Sequence, residues 1–201
     1  VPAHPLSPFG TVAHVGPMTR SVADAALMFS VIAAPDDRDW YAVARTAQDW
    51  TRDLQAGVKG WRIAWSATMG GHKVDPEIAA LCEKAARSFT DLGAHVDAVD
   101  PPIAAGGDLF KKFWFTGAAN LMRAFGPDRQ ATMDPGLVAV AAEGAKLSLL
   151  DYLAAIRERE LLGVAMNRFH AEWDLLLTPM LPIAAFEAGI EFPKRGNASR
   201  W

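Results

Sequence analysis

Nucleophilic catalysis needs an exposed nucleophile with a base within reach. Seven serines, one cysteine and five histidines could enter such a site. None of the serines (Ser7, Ser21, Ser30, Ser66, Ser88, Ser148, Ser199) lies in Gly-x-Ser-x-Gly, the sharp turn that exposes a nucleophile, and no two are adjacent. Ser21 and Ser148 stand before helical periodicity and read as helix caps. Cys82 falls on an apolar helix face, the setting of an inert thiol, since a reactive one needs an accessible, electropositive site. His4, His14, His72, His95 and His170 are scattered without the spacing of metal ligands. Asp36, Asp37 and Asp39 lack the ligand positions and glycine of a calcium loop and read as a solvated helix exit. Gly70-Gly71-His72-Lys73 and Gly106-Gly107-Asp108 lack the spacing of a phosphate loop. No metal or cofactor is expected.

The elements that would position such residues come from a chain of 201 residues, 51% hydrophobic and 21% charged, with a net charge of -3. That suits one globular unit with a core. The basic residues are spread along the chain, so no nucleic-acid footprint is expected. One cysteine excludes an intrachain disulfide and fits a reduced, cytoplasmic setting. No apolar run has the length of a membrane span, and no signal peptide opens the chain. The start at Val1 and the stop after Asn197-Ala198-Ser199-Arg200-Trp201 read as cut points in a longer protein.

The pattern predicts a single partial domain over 1–201. Four prolines and two glycines make 1–18 an extended loop. A helix over 19–34 is capped by Thr19 or Ser21, with Val22, Ala25, Ala26, Phe29, Ile32 and Ala33 as its buried stripe. Residues 60–100 read as strand–helix–strand. Trp61 to Trp65 form the first strand, with both tryptophans in the core. Asp75-Pro76-Glu77 starts the helix, whose apolar face is Ile78, Leu81, Cys82, Ala85, Phe89 and Leu92, and Gly93 stops it. Two parallel strands joined by a crossover follow from that order. Residues 105–172 are helical, and 174–179 form an apolar core strand buried on both faces. The fold class is α/β: part of a mixed sheet core flanked by helices, helix-rich and incomplete. Ligand sites in such folds sit at the carboxyl ends of strands, here the loop after Trp65 and the turn at Thr178.

Residues Gly10 to Leu27 (GTVAHVGPMTRSVADAAL) resemble a stretch of the amidase signature family, serine amidohydrolases with a Ser-cisSer-Lys triad. In the same order, Asp36-x-x-Asp39 resembles the family's acidic helix exit and Val58–Trp65 its V-x-G-(L/W)-R-I strand. Val74–Glu77 resembles the following helix start, and Asp174–Pro179 a late core strand. The resemblance implies a serine nucleophile, a second serine relaying its proton to a neutral lysine, and an oxyanion hole of backbone amides. It also implies that the Gly-Ser-Ser and Gly-Gly-x-Ser signature lies upstream of the Gly-Pro-Met-Thr-Arg turn, with the lysine earlier still. Those catalytic residues are therefore expected to precede Val1, so this chain alone should be inactive and should expose apolar surface.

For the residues present, the resemblance points to Thr178 and Leu181, with Met69 and His72, as walls of the acyl-side cavity. It points to Trp114 and Phe115 as a region that sets substrate size. Arg20 is expected to pair with Asp24. The implied function is hydrolysis of the C–N bond of a small amide, with no nucleic acid and no membrane as partners and homo-oligomerisation left open. The alternatives are the A-type subunit of a tRNA-dependent amidotransferase and a non-catalytic binding or interaction domain.

Overall fold

The computed structural model describes residues 1–9, 12–42, 48–103 and 106–190. Nine elements follow in order among them: α1 (Val22–Ile32), β1 (Arg62–Trp65), α2 (Pro76–Asp91), β2 (His95–Ala98), α3 (Gly107–Met122), α4 (Pro127–Gln130), α5 (Pro135–Gly144), α6 (Leu149–Glu172) and β3 (Leu175–Leu177). The three strands form one parallel sheet in the order β2-β1-β3. Arg62 stands opposite His95, and Ile63 is flanked by Val96 and Leu175.

Local chemistry sets the helix starts. Ser21 Oγ accepts the Asp24 amide at 3.1 Å and caps α1. Asp75 accepts the Glu77 amide at 3.0 Å, with Pro76 in the first turn of α2, where its missing amide donor costs nothing. Asp134 caps α5 through the Leu137 amide at 2.9 Å. Ser148 and Asp151 cap α6 reciprocally: the Asp151 amide reaches Ser148 Oγ at 3.1 Å, and the Ser148 amide reaches Asp151 Oδ2 at 3.0 Å. Past the end of α2, Gly93 takes φ +89°, a left-handed turn that admits glycine without strain. Its carbonyl accepts the Gly60 amide at 2.8 Å, so the turn after α2 is tied to the segment leading into β1.

The core is concentrated in the helices. Ala118 and Met122 of α3 pack with Val140 and Ala141 of α5. The two backbones meet directly, because a methyl group at Gly144 would overlap the Phe115 carbonyl. The N-terminal segment fits a second glycine of α3: a Cβ at Gly117 would stand 2.8 Å from Phe9 Cα and from the Pro8 carbonyl oxygen. On another side of α3, Leu109 and Phe113 bury against Ala155 of α6, with Tyr152 edge-on to Phe113 at 5.4 Å.

Several sequence expectations change. In β1, Ile63 and Ala64 point to opposite faces and both have 0% exposure, so this strand is covered on both sides. The strand expected to be buried on both faces, β3, is only half-buried, because it has a neighbour on one side alone. Trp61 is 41% exposed and Trp65 half-buried, so neither belongs to the closed core. In the expected stripe of α1 only Ala26 is buried; Ala25, Phe29 and Ile32 are half-buried, and Val22 is 72% exposed. Leu81 on α2 and Leu92 just past its end stand exposed. Each helix buries a narrow strip, Ala26 on α1 and Ala86 on α2, and leaves the rest of its apolar residues uncovered among the described residues. Arg20 forms no ion pair with Asp24 among the described residues; both are exposed.

Two predictions test this architecture. Gly144→Ala should lower stability by about 1–3 kcal/mol or more, the usual penalty for overpacking. Gly163→Ala, in α6 with open space around it, should raise stability by roughly 0.5–1 kcal/mol; urea titration of both measures the contrast. The Asp151 carboxylate lies below its ordinary 3.8 because the Ser148 hydroxyl and then the Ser148 amide donate to it. Its contribution is complete above that value and is lost as pH falls through the lowered one. Protection of the amides at the start of α6, taken relative to their intrinsic exchange rates, should therefore fall on acidification below about pH 4, and Asp151→Asn should flatten that dependence.

Candidate functional site

The carboxyl ends of the three strands open onto one edge of the sheet, where the chain's least expected polar residue lies. Ser66 follows β1 directly and is 1% exposed. Its hydroxyl donates to Asp100 Oδ1 at 2.6 Å, just beyond β2, and accepts the Met69 amide at 2.9 Å. Its own amide donates to the Leu177 carbonyl at 2.9 Å, at the end of β3. One serine thus joins the exits of all three strands.

The loop from Ser66 to His72 is stitched by its hydroxyls. Thr68 Oγ1 accepts the Gly71 amide at 3.1 Å, and the Thr68 carbonyl accepts the His72 amide at 2.8 Å. Met69 has φ +51°, a left-handed conformation that costs a side-chain-bearing residue roughly 1–2 kcal/mol. Gly70 follows at φ +82°, and a Cβ there would stand 3.1 Å from the Ile103 carbonyl oxygen, so this loop lies against the exit of β2. The Asp75 amide donates to the Pro182 carbonyl at 2.8 Å, which ties the start of α2 to the loop after β3.

Four of the six residues expected at a site fall on these joined loops: Met69 and His72 after β1, Thr178 and Leu181 after β3. Thr178 Oγ1 is sealed from solvent and has no hydrogen-bond partner among the described residues. A buried hydroxyl left unpaired costs about 1–3 kcal/mol. His72 is exposed, and Leu181 is 65% exposed. Trp114 and Phe115 are engaged elsewhere. Trp114 stacks with Phe9 at 4.3 Å and Phe110 at 5.3 Å, and Phe115 packs in the α3–α5 core.

Two concavities mark the surface in other places. One, about 830 Å³ and shallow, runs along the start of α1 from Pro17 to Ala25 and is lined by Met18, Thr19, Arg20 and Ser21. The other, about 280 Å³, lies between the start of α3 and the middle of α6, lined by Leu109, Glu158, Leu161 and Leu162. Neither is lined by Met69, His72, Thr178 or Leu181.

Sequence reasoning passed over Ser66, Thr68 and Asp100. The signal for them was positional: a small hydroxyl residue directly after an apolar strand, and an acid directly before Pro101-Pro102 at the end of the next one. Asp36 and Asp39 hold turns together. Arg38 binds Asp36 through its guanidinium and its amide and keeps that carboxyl far below the usual range, while Asp39 accepts the Ala3 and Tyr41 amides at 2.8 and 2.9 Å.

A parallel sheet flanked by helices, with its loops gathered at the carboxyl edge, makes this an α/β fold, a class in which ligand sites generally lie at that edge. The chain belongs to the amidase family: the family described as Amidase matches residues 1–199. An acylamidase from Rhodococcus erythropolis is 30% identical over 191 residues, which cover 94% of this chain and 39% of the relative. The solved structure of a bacterial aryl acylamidase of the amidase signature enzymes superposes with a TM-score of 0.76 at 31% identity, covering 92% of this chain and 41% of that one. The A-type subunit of a glutamyl-tRNA(Gln) amidotransferase from Myxococcus xanthus is 29% identical, over 92% of this chain and 44% of its own length. The chain thus spans about two fifths of the length of the curated relatives it matches.

Thr178→Val should leave stability unchanged or raise it by up to about 1 kcal/mol, since it removes an unpaired buried hydroxyl. A clear loss in the urea midpoint would mean that the hydroxyl is bonded in solution.

Proposed function

We propose that this chain is the later part of an amidohydrolase that cleaves the C–N bond of a small amide through an acyl-enzyme. The observation that carries this reading is the bonded convergence of the loops bearing Met69, His72, Thr178 and Leu181, in a chain similar over 94% of its length to an acylamidase. In this reading the serine nucleophile, the second serine and the neutral lysine belong to polypeptide outside residues 1–201, which contain no adjacent serines. The residues present supply one wall of the acyl-side cavity. Met69 and Leu181 give it apolar surface, and Thr178 gives it the turn that follows β3. Trp114 and Phe115 act from α3, setting substrate size through the placement of that helix.

The exposed apolar faces support the same reading. Val22, Leu27 and Val31 of α1 stand 62–72% exposed, and each would contribute about 1.5–3 kcal/mol if fully covered. A cytoplasmic setting is part of the proposal, supported by the single cysteine. Among the described residues, no helix is long and apolar enough to cross a membrane. The similarity to the A-type subunit of an amidotransferase favours a second reading, in which the whole protein works on an amide only together with partner chains.

The full-length protein should hydrolyse acyl anilides and simple aliphatic amides without a partner chain, and the 201-residue chain alone should hydrolyse none. Inhibitor-sensitive turnover by the short chain would overturn the placement of the catalytic groups. Turnover of glutamine only in the presence of partner chains would favour the second reading.

A further inference from the structure

We propose that Ser66 and Asp100 are a positioning pair: together they hold the loop of Met69 to His72 in the one conformation that makes it a substrate wall. The link to substrate rests on the amidase reading; the positioning rests on geometry alone. Met69 occupies a left-handed conformation that a side-chain-bearing residue leaves unless its surroundings hold it there. The hydrogen bond from its amide to Ser66 Oγ, 2.9 Å long, is the contact that holds it. Ser66 Oγ can accept in that direction because its proton is committed to Asp100 Oδ1 at 2.6 Å. The serine is 1% exposed, so with Asp100 in place water does not compete for either role. The Gly70 backbone lies against the Ile103 carbonyl, which braces the loop on the same strand exit that carries Asp100.

The pair is therefore a relay of orientation: the acid fixes the hydroxyl rotor, the hydroxyl fixes the Met69 amide, and the amide fixes the loop. The helical core does not depend on this relay, because Ala118, Met122, Val140 and Ala141 bury elsewhere. Asp100 itself is exposed, so its replacement leaves no cavity.

Hydrogen exchange on the full-length protein reads the positioning directly. Ser66→Ala and Asp100→Ala should each speed exchange of the Met69 amide roughly five- to tenfold, the factor expected from one lost hydrogen bond. Asp100→Asn keeps an acceptor for the serine hydroxyl and should stay near the parent rate. Amides of α3 and α5 should not change. In parallel, KM for a bulky acyl anilide should rise severalfold in Asp100→Ala with kcat for a small aliphatic amide retained. Unchanged Met69 exchange in a folded Asp100→Ala protein overturns the pair, and that variant stands in if Ser66→Ala fails to fold. Altered exchange with an unchanged KM overturns its link to substrate. Absence of amide hydrolysis in the parent protein would sink the amidase reading while leaving the exchange result intact.

Discussion

The hydrogen-bond ladder of β1 is the constraint on which the rest of the structure depends. β1 is the central strand, and it alone is bonded on both sides. Ile63 and Ala64, adjacent in sequence and on opposite faces, are both wholly buried, which requires cover above and below the sheet. The register of β1 against β2 and β3 then decides which residues stand together at the carboxyl edge. A slip of one residue would turn Ser66 to the other face and part it from Asp100. The site is in this sense a consequence of pairing, and the loops inherit their positions from three short strands.

Stability comes from a different place. The α3–α5 contact is tightest at Gly144, with Ala118 and Ala141 packed beside it, residues whose small size lets two backbones approach. Such a contact gains dispersion over many atoms and tolerates no added methyl at its tightest point. The sheet, by contrast, has both outer edges open among the described residues, and α1 keeps most of its apolar side chains in solvent. Packing is thus close at the α3–α5 contact and open along the sheet edges and α1 among the described residues.

That division explains what could be read from sequence. Helix starts were legible, because a cap is a local event: Ser21, Asp75, Asp134 and Ser148 each satisfy amides within three residues of themselves. The parallel βαβ order was legible from alternating periods and from Gly60 and Gly93. Burial was not legible where it depends on a layer outside the periodic segment, so Val22, Leu81 and Leu92 had the spacing of a core face without the cover. The placement of the candidate site was legible only in part. Thr178 and the loop after Trp65 follow from the rule that strand ends carry ligands, but Ser66 and Asp100 lie 34 residues apart and meet only after β1 and β2 are in register.

The carboxyl edge also shows how two opposite treatments of a buried hydroxyl divide labour. Ser66 is fully satisfied, with a donor role toward Asp100 and an acceptor role toward Met69, and such a group rigidifies what it touches. Thr178, reached from the same edge by extending the β1–β3 register one step, has a sealed hydroxyl with no partner among the described residues. A satisfied group has nothing left to offer a ligand. An unsatisfied one gains the most from any donor or acceptor brought to it, because its desolvation has already been met by the fold. The two hydroxyls therefore differ in bonding although both stand one step beyond the β1–β3 register: Ser66 is held by two partners, and Thr178 Oγ1 is sealed without one among the described residues.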